Sequence, residues 1–241
     1  MIESPNNEKI KKYSKLLEKK YRDIENLYLV STDHLVKEAI KKDLVIEVFL
    51  LENTTNDYGK VTIVKENVMR KLTKLKTLPK VVSVVKKEKY KEISGNVVLI
   101  DGLQDPGNLG TIIRSAVAFN INTIILGDNT VDLYNEKVLR ASEGMIYNIN
   151  IVKKNLVDAI MDLKINNYTV LGTKVDGGKN IKNINYEKYA FIVGNEGNGI
   201  SDDLLNLCDD YIYINMNSSC ESLNVGIASS IIMYEINNKS N

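Results

Sequence analysis

Histidine and cysteine, the residues that most often bind transition metals, are scarce in this chain. Its 241 residues include one histidine, His34, and two cysteines, Cys208 and Cys220. The cysteines have no CxxC spacing and no neighbouring histidine, which argues against both a metal site and a disulfide. Reduced thiols in a cytoplasmic protein are the simpler interpretation. A single histidine also excludes a histidine-rich metal site.

Long hydrophobic runs are missing as well. No apolar stretch approaches the length of a membrane span, and residues 1–12 are polar, so we expect neither a membrane span nor a secretory signal. Hydrophobic residues make up 44% of the chain and charged residues 26%, which is ordinary for a globular protein. The length suffices for one large domain or two smaller ones.

Glycine is rare in the first 95 residues, where only Gly59 and Gly95 occur among the 14 of the whole chain. Charge divides the sequence at the same point. Residues 1–95 contain 21 Lys and Arg against 14 Asp and Glu (+7), whereas residues 96–241 contain 11 against 17 (−6). A basic unit suits a polyanionic partner, although lysine as a solubilising residue explains the basic half equally well. The glycine-rich half is predicted to carry the loops of a functional site.

The first half has the pattern of a small α/β unit. Apolar residues at helical spacing predict a helix over 8–21, and Asp33 is the predicted N-cap of a helix that ends near residue 41. Residues 86–95, with charges and no periodicity, form the predicted linker. The other predicted elements are strands at 27–30, 45–51, 61–64 and 81–85 and a helix at 66–75.

The second half alternates between apolar strands and helices. The predicted strands cover 97–101, 123–126, 147–152, 168–172, 190–193 and 211–214, and the predicted helices cover 109–119, 135–142, 156–164, 202–207 and 222–237. This alternation favours a mostly parallel sheet that is covered on both faces. Functional sites in such sheets lie beyond the carboxyl ends of the strands.

Three polar motifs begin where predicted strands end. They are DPGNLG at 105–110 with Arg114 four residues later, GNEGNG at 194–199, and NMNSSCESLNVG at 215–226. The glycine spacing of the second motif reverses the dinucleotide-binding fingerprint, and the chain has no P-loop, so binding of NAD or ATP is disfavoured.

Each motif also has a simpler structural explanation. Arg114 could be a solvated or ion-paired residue on its helix. Glu196 could cap the next helix, and Ser222 and Asn224 could be no more than the N-cap of the last helix. The order of the three motifs is more specific than any one of them.

In this order, the motifs resemble the signature motifs of the SpoU (TrmH-like) family of RNA ribose 2′-O-methyltransferases, within the SPOUT superfamily. The resemblance implies a trefoil-knotted, parallel-sheet methyltransferase domain at 95–241 and a small N-terminal α/β RNA-binding domain at 1–94. It implies S-adenosylmethionine as the cofactor. It also implies a homodimer formed through the C-terminal domain, in which the partner subunit helps to complete the active site. Pattern alone would not propose a knot.

The resemblance also implies residue roles. Arg114 is expected to be catalytic, either by activating the ribose hydroxyl or by stabilising the alkoxide that develops there. Glu196 is expected to accept a proton or to orient Arg114. The further expected catalytic residues are Asn108, Ser222 and Asn224. The expected cofactor-binding residues are Gly172, Thr173, Gly194, Asn195, Gly197, Ile214, Met216, Ser222, Leu223 and Asn224.

Segments 27–30 and 34–36 resemble the ribosomal-protein-like RNA-binding domain that many family members carry. The chain departs from the family at residues 31–32, which read Ser-Thr in place of Glu-Gly, and at Asn215 and Ser218, which replace proline and glycine. We expect 2′-O-methylation of RNA, with 23S rRNA as the first target and tRNA, or an antibiotic-resistance site in rRNA, as alternatives. A non-catalytic RNA-binding or assembly factor of the same fold is the alternative from another class.

Overall fold

The computed structural model describes residues 1–185 and 187–238. In chain order the helices are α1 Glu8–Ser14, α2 Lys19–Glu25, α3 Asp33–Lys41, α4 Glu66–Lys71, α5 Pro106–Ala118, α6 Glu136–Ala141, α7 Leu156–Ile165, α8 Asp202–Leu205 and α9 Val225–Asn237. The strands are β1 Leu27–Val30, β2 Val45–Leu51, β3 Thr62–Val64, β4 Val81–Lys86, β5 Val97–Ile100, β6 Thr123–Leu126, β7 Asn150–Lys153, β8 Thr169–Thr173, β9 Lys179–Asn180, β10 Tyr189–Val193 and β11 Asp210–Tyr213.

The chain divides into two compact units. One comprises residues 1–89 and 132–147, and the other comprises residues 90–131 and the described residues from 148 onward. Among the described residues, no helix is long and apolar enough to cross a membrane.

The first unit is built on a four-stranded sheet in the order β1-β4-β2-β3. Strand β4 pairs antiparallel with β1 and β2, and β3 pairs parallel with β2. The first five residues of β4 are buried, which is expected for a central strand rich in valine. The hydrophobic core of the first unit is formed by Ile10, Leu16, Phe49, Val64, Val68, Met69, Leu72, Val82 and Val84.

The single helix predicted over 8–21 is wrong, because the chain breaks between α1 and α2. A 3-10 turn at Lys15–Leu17 follows α1, and Glu18 has an extended backbone (φ −105°, ψ 137°). The turn buries the Leu16 side chain. The Leu16 carbonyl accepts a hydrogen bond from the Arg22 guanidinium (2.9 Å). The predicted cap of α3 is also corrected: Thr32, not Asp33, is the N-cap.

Residues 132–147 belong to the first unit, although their sequence position lies beyond the predicted linker. The Tyr134 ring packs on the Tyr28 ring at 4.4 Å between centroids. The Ser31 hydroxyl donates to the Glu136 carboxylate (2.9 Å), and Arg22 is ion-paired with Asp132. The division into an RNA-binding domain at 1–94 and a catalytic domain at 95–241 stays a prediction.

The second unit is built on a seven-stranded sheet in the order β7-β6-β5-β10-β8-β11-β9, in which every neighbouring pair is parallel. All residues of β5, β6 and β10 are buried, as expected for strands covered on both faces. The predicted α/β architecture, with a parallel-sheet domain and an N-terminal α/β unit, is confirmed. The knot stays a prediction. The strand predicted at 147–152 begins at Asn150, since Tyr147 lies in a 3-10 turn.

Candidate active site

The carboxyl ends of β5 and β10 lie side by side. Ile100, the last residue of β5, is in register with Val193, the last residue of β10. The Asp101 N–H then donates to the Val193 carbonyl (2.9 Å), so the loops after the two strands start together. The Asn195 side chain joins them by donating to the Gly102 carbonyl (2.9 Å). The first and second motifs therefore meet, as their positions after parallel strands predict.

The second motif forms a tight loop. Asn195 and Gly199 each donate a backbone hydrogen bond to the other's carbonyl (2.9 Å in both directions). Gly199 has a φ of +69°, in the left-handed region that favours glycine. A Cβ on Gly194 would lie 2.0 Å from the Gly199 carbonyl carbon, so a side chain at Gly194 would force the loop apart. Glycine at position 194 thus has a steric reason and glycine at position 199 a conformational one.

Glu196, at the tip of this loop, accepts hydrogen bonds from the first motif. Its carboxylate accepts from the Gln104 N–H (3.2 Å), the Asp105 N–H (3.0 Å) and the Asn108 side-chain amide (3.0 Å). Burial alone would raise the pKa of Glu196, but the hydrogen bonds from Asn108 and the backbone outweigh it, so the pKa lies below its usual range. A carboxylate held in this way is a weak proton acceptor, and it orders the first motif.

Asn108 connects the second motif to the third. The Asn224 side-chain amide donates to the Asn108 side-chain oxygen (2.9 Å), while the Asn224 oxygen accepts from the Ile227 N–H (3.2 Å) and caps α9. Asn224 is therefore the N-cap of α9, and the same side chain also contacts Asn108 in the first motif. Glu196, Asn108 and Asn224 form a continuous hydrogen-bonded chain through all three motifs, which we call the amide bridge.

Helices α5 and α9 pack through small and hydroxyl-bearing residues. The Ser115 and Ser230 hydroxyls are 2.7 Å apart and hydrogen-bonded. A Cβ on Gly226 would lie 3.3 Å from the Thr111 methyl group, so the helices approach closely just below the amide bridge. This packing fixes the first and third motifs relative to each other.

A cavity of about 440 Å³ opens beside the amide bridge, within the size range of small-molecule sites. It is lined by nine of the ten residues predicted to bind the cofactor: Thr173, Gly194, Asn195, Gly197, Ile214, Met216, Ser222, Leu223 and Asn224. Gly172 is not among the lining residues. It is buried, and a Cβ there would meet the Tyr211 ring and the Cys208 sulfur.

The cavity has one polar wall and one apolar wall. Residues 214–224 lie between β11 and α9 and are neither helix nor strand, so their backbone can present polar groups to a ligand. Val193, Ile200, Ala228 and Ile232 form an apolar wall. None of these four was among the residues predicted to bind the cofactor. The combination suits a flat base with polar edges attached to a sugar, as in S-adenosylmethionine.

Comparison with known proteins identifies the family. Residues 95–234 match the SpoU rRNA Methylase family, and residues 7–83 match the MRM3-like substrate binding domain. The chain is 35% identical to the 23S rRNA (guanosine(2553)-2′-O)-methyltransferase RlmP of Bacillus subtilis (strain 168) over 98% of both proteins. The chain belongs to the SpoU rRNA methylase family.

Solved structures of methyltransferases agree with this assignment. The AdoMet-bound rRNA methyltransferase from Sinorhizobium meliloti matches with a TM-score of 0.84 and 25% identity, covering 99% of this chain and 97% of that one. The fold is also that of the SpoU methyltransferase AviRb from Streptomyces viridochromogenes, solved with AdoMet (TM-score 0.85, 22% identity, 98% of each chain). The expected enzyme class, an RNA methyltransferase that uses S-adenosylmethionine, is confirmed.

Among the five predicted catalytic residues, Arg114 is the one that lies apart from the others. It is exposed on α5, and it does not line the cavity of its own chain. No hydrogen bond or ion pair joins its guanidinium to residues 1–185 or 187–238. The expected contact between Glu196 and Arg114 is therefore absent from this part of the chain. The Glu196 carboxylate contacts Asn108 and the backbone instead.

Proposed function

We propose that this chain transfers the methyl group of S-adenosylmethionine to a ribose 2′-hydroxyl of 23S rRNA. The observation that carries the proposal is the amide bridge of Glu196, Asn108 and Asn224 beside a cavity lined by the predicted cofactor residues. The relative at 35% identity acts on guanosine 2553 of 23S rRNA, according to its name. The matching guanosine is therefore the first nucleotide to test.

The cofactor would be held between the second and third motifs. Backbone groups at Gly194, Ile214 and Leu223 would bind its adenine and ribose, as the family resemblance implies, and the apolar wall with Ile232 would cover the base. When bound, the cofactor supplies an electrophilic methyl group on a sulfonium. The site's main task is then to place a ribose oxygen in line with that methyl group, which can supply most of the rate acceleration.

Arg114 would act as an electrostatic stabiliser in this proposal. A guanidinium keeps its proton in proteins, so it is unsuited to removing the proton of a ribose hydroxyl. It can bind an RNA phosphate and stabilise an alkoxide that develops next to it. Glu196 would be a positioning residue, because three donors already occupy its carboxylate.

A homodimer would bring Arg114 to a cavity that its own chain does not provide. Helix α9 exposes an apolar face with Ile227 (51% exposed) and Tyr234 (50% exposed), and these residues are seven apart, so they share one side of the helix. A second copy covering this face would agree with the subunit pairing that the family resemblance implies. The predicted trefoil knot and the cytoplasmic location belong to the same proposal.

The proposal is tested by methylation with radiolabelled S-adenosylmethionine and separate transcripts of 23S rRNA and tRNA. We expect incorporation into 23S rRNA, with the modified ribose located by its resistance to alkaline hydrolysis. Incorporation into tRNA alone would move the target to the second candidate. Failure to bind S-adenosylmethionine in calorimetry, with and without RNA, would favour the assembly factor that the departures at Asn215 and Ser218 suggest.

A further inference from the structure

The first unit contains a second large cavity, of about 680 Å³. It is lined by the loop at 74–79, which follows α4, and by residues 134–137 and Arg140 around α6. Leu16, Leu29 and Leu72 also line it. All of these segments belong to the same compact unit. The methyl-transfer chemistry described above does not use this cavity.

The base of this cavity is apolar. Leu16 is 2% exposed and Leu72 is 1% exposed, so both belong to the core of the unit. Pro79 is buried, and Leu29 and Leu78 are half-buried. A surface of this kind favours the flat, weakly polar face of a base or another apolar group over a hydrated ion.

The rim of the cavity is cationic. Lys74, Lys76, Lys137 and Arg140 are exposed, and the described chain provides no ion pair for any of them. The remaining charged residues of the lining are Arg22 and Glu136. Arg22 is paired with Asp132, and Glu136 accepts a hydrogen bond from Ser31 (2.9 Å). The four rim cations therefore form no ion pair within the described chain, and Glu136 is the single acidic residue that lines the cavity beside them.

An apolar base under four free cations matches the chemistry of an unpaired nucleotide. Single-stranded RNA presents base faces that can leave the stack and phosphates at regular spacing. A cavity of this volume lies within the range that accommodates one small ligand, and a base pair in a duplex keeps its faces stacked and could not enter it. An acidic peptide would use the rim but would leave the apolar base unexplained.

We propose that this cavity binds an unpaired nucleotide of the RNA substrate, with its base on the apolar floor and flanking phosphates at Lys74, Lys76, Lys137 and Arg140. The inference rests on the proposed function, because it assumes an RNA substrate. Lys74 and Lys76 lie within the stretch that matches a substrate binding domain, but Lys137 and Arg140 lie within the stretch that matches the SpoU methylase family. The RNA-binding surface therefore includes residues from both stretches.

The test uses the full-length chain and an unstructured 23S rRNA fragment that contains the modified nucleotide. The double variants Lys74→Gln/Lys137→Gln and Lys76→Gln/Arg140→Gln remove rim charge. Each is expected to weaken RNA binding by on the order of tenfold and to reduce the slope of log Kd against log salt by about 1–2. Affinity for S-adenosylmethionine should be unchanged. Arginine at the three lysine positions should restore RNA affinity.

The matched control removes two exposed lysines of the same unit that do not line the cavity, Lys42→Gln/Lys60→Gln. It changes net charge equally and should alter RNA affinity by less than about twofold, since long-range effects of exposed charges are screened. Equal losses in the rim and control variants would reduce the effect to net charge and overturn the proposal. Rim variants that bind RNA like the parent would overturn it as well.

Two further readouts separate this proposal from its alternatives. RNA substituted with 4-thiouridine should crosslink on irradiation to peptides that contain 74–79 or 134–140. A polyglutamate competitor that displaces RNA from the rim as well as single-stranded oligonucleotides do would point to an acidic peptide site and contradict the proposal. If the parent protein methylates RNA while the rim variants are normal, the cavity assignment fails and the proposed function stands. If the parent does not bind RNA, the proposed function fails.

Discussion

The Asn224 side chain donates a hydrogen bond to Asn108 (2.9 Å), although 116 residues separate them in the chain. The Asn108 side-chain amide in turn donates a hydrogen bond to the Glu196 carboxylate (3.0 Å). An asparagine can do both at once, because its side chain has an acceptor oxygen and a donor nitrogen. Aspartate in place of Asn108 would lose the donor and place a second negative charge against Glu196.

A double-mutant cycle on Asn108 and Asn224 should detect this relationship. The single variants Asn108→Ala and Asn224→Ala each break the bridge, so their effects on S-adenosylmethionine binding should be non-additive by about 0.5–1.5 kcal/mol. Calorimetry of the four proteins gives this coupling. As a control, Asn108→Ala should be additive with Asn198→Ala, because Asn198 contributes only its backbone N–H to the loop. Additive effects for the first pair would contradict a shared bridge.

Glu196→Gln distinguishes a positioning residue from a proton acceptor. Glutamine leaves a single oxygen for the donors that hold the first motif, so we expect weaker binding of S-adenosylmethionine together with a rate that falls roughly 10–100-fold. A residue that only accepts a proton would lower the rate and leave cofactor affinity intact. Measuring Kd by calorimetry and the single-turnover rate on the same variant separates the two outcomes.

The lowered pKa of Glu196 also predicts how pH affects folding stability and cofactor binding. Its pKa is lower in the folded protein than the usual value for glutamate. The folded state therefore binds this proton more weakly than the unfolded chain does. The stabilisation of the folded protein by this carboxylate is present above the usual pKa of glutamate. It is lost as the pH falls through the lower pKa of Glu196 in the folded state. We expect Glu196 to contribute no pH dependence between about pH 6 and 9. If the affinity for S-adenosylmethionine fell as the pH dropped from about 7 to 6, and if Glu196→Gln abolished that fall, the lowered pKa of Glu196 would be contradicted.

Sequence reasoning recovered the second unit well, because its strands have clear apolar patterns. The strand at Thr123–Leu126 has the predicted bounds, and the three motifs converge because parallel strands place their carboxyl ends at one edge. The first unit was recovered less fully at α1 and α2. An apolar helical face continues through residues 15–17, and nothing in its periodicity shows that Leu16 enters the core through a 3-10 turn.

Two features had no local signal. Residues 132–147 pack with the first unit through tertiary contacts, such as Tyr134 on Tyr28, which pairwise spacing along the chain does not reveal. The apolar wall at Ala228 and Ile232 lies on a helix whose hydrophobic residues look like ordinary core. The motif residues were predicted because the order of the three motifs resembles the SpoU signature, and their positions after buried strands support that prediction.

Gly194→Ala should abolish cofactor binding for a steric reason. Its Cβ would lie 2.0 Å from the Gly199 backbone, and rigid backbone cannot yield without opening the loop, so we expect a loss of stability of about 1–3 kcal/mol. Thermal unfolding and calorimetry measure the two effects. Gly197→Ala is the matched control for stability in the same loop, because its Cβ would come no closer than 3.5 Å to another side chain. An equal loss of stability from both substitutions would argue against the steric explanation.

Arg114→Ala should abolish methyl transfer while S-adenosylmethionine still binds. Loss of one preorganised charged contact typically costs about 10²–10³ in rate, and Arg114 does not line the cavity of its own chain, so cofactor affinity should change by less than about twofold. Arg114→Lys should not restore full rate, since an ammonium lacks the planar pair of donors. Activity of Arg114→Ala within a few-fold of the parent would remove this residue from the catalytic set.

If Arg114 acts on the cavity of a partner subunit, two inactive variants should restore activity when they are mixed. A dimer of one Arg114→Ala chain and one Gly194→Ala chain has a single intact site, formed by the normal cavity of the first and the normal arginine of the second. Random exchange should then give about a quarter of the parent activity, because half of the dimers are mixed and each has one site of two. Light scattering checks that the parent and both variants are dimers. If exchange is verified with differently tagged chains and no activity returns, Arg114 serves its own chain and the shared site is wrong.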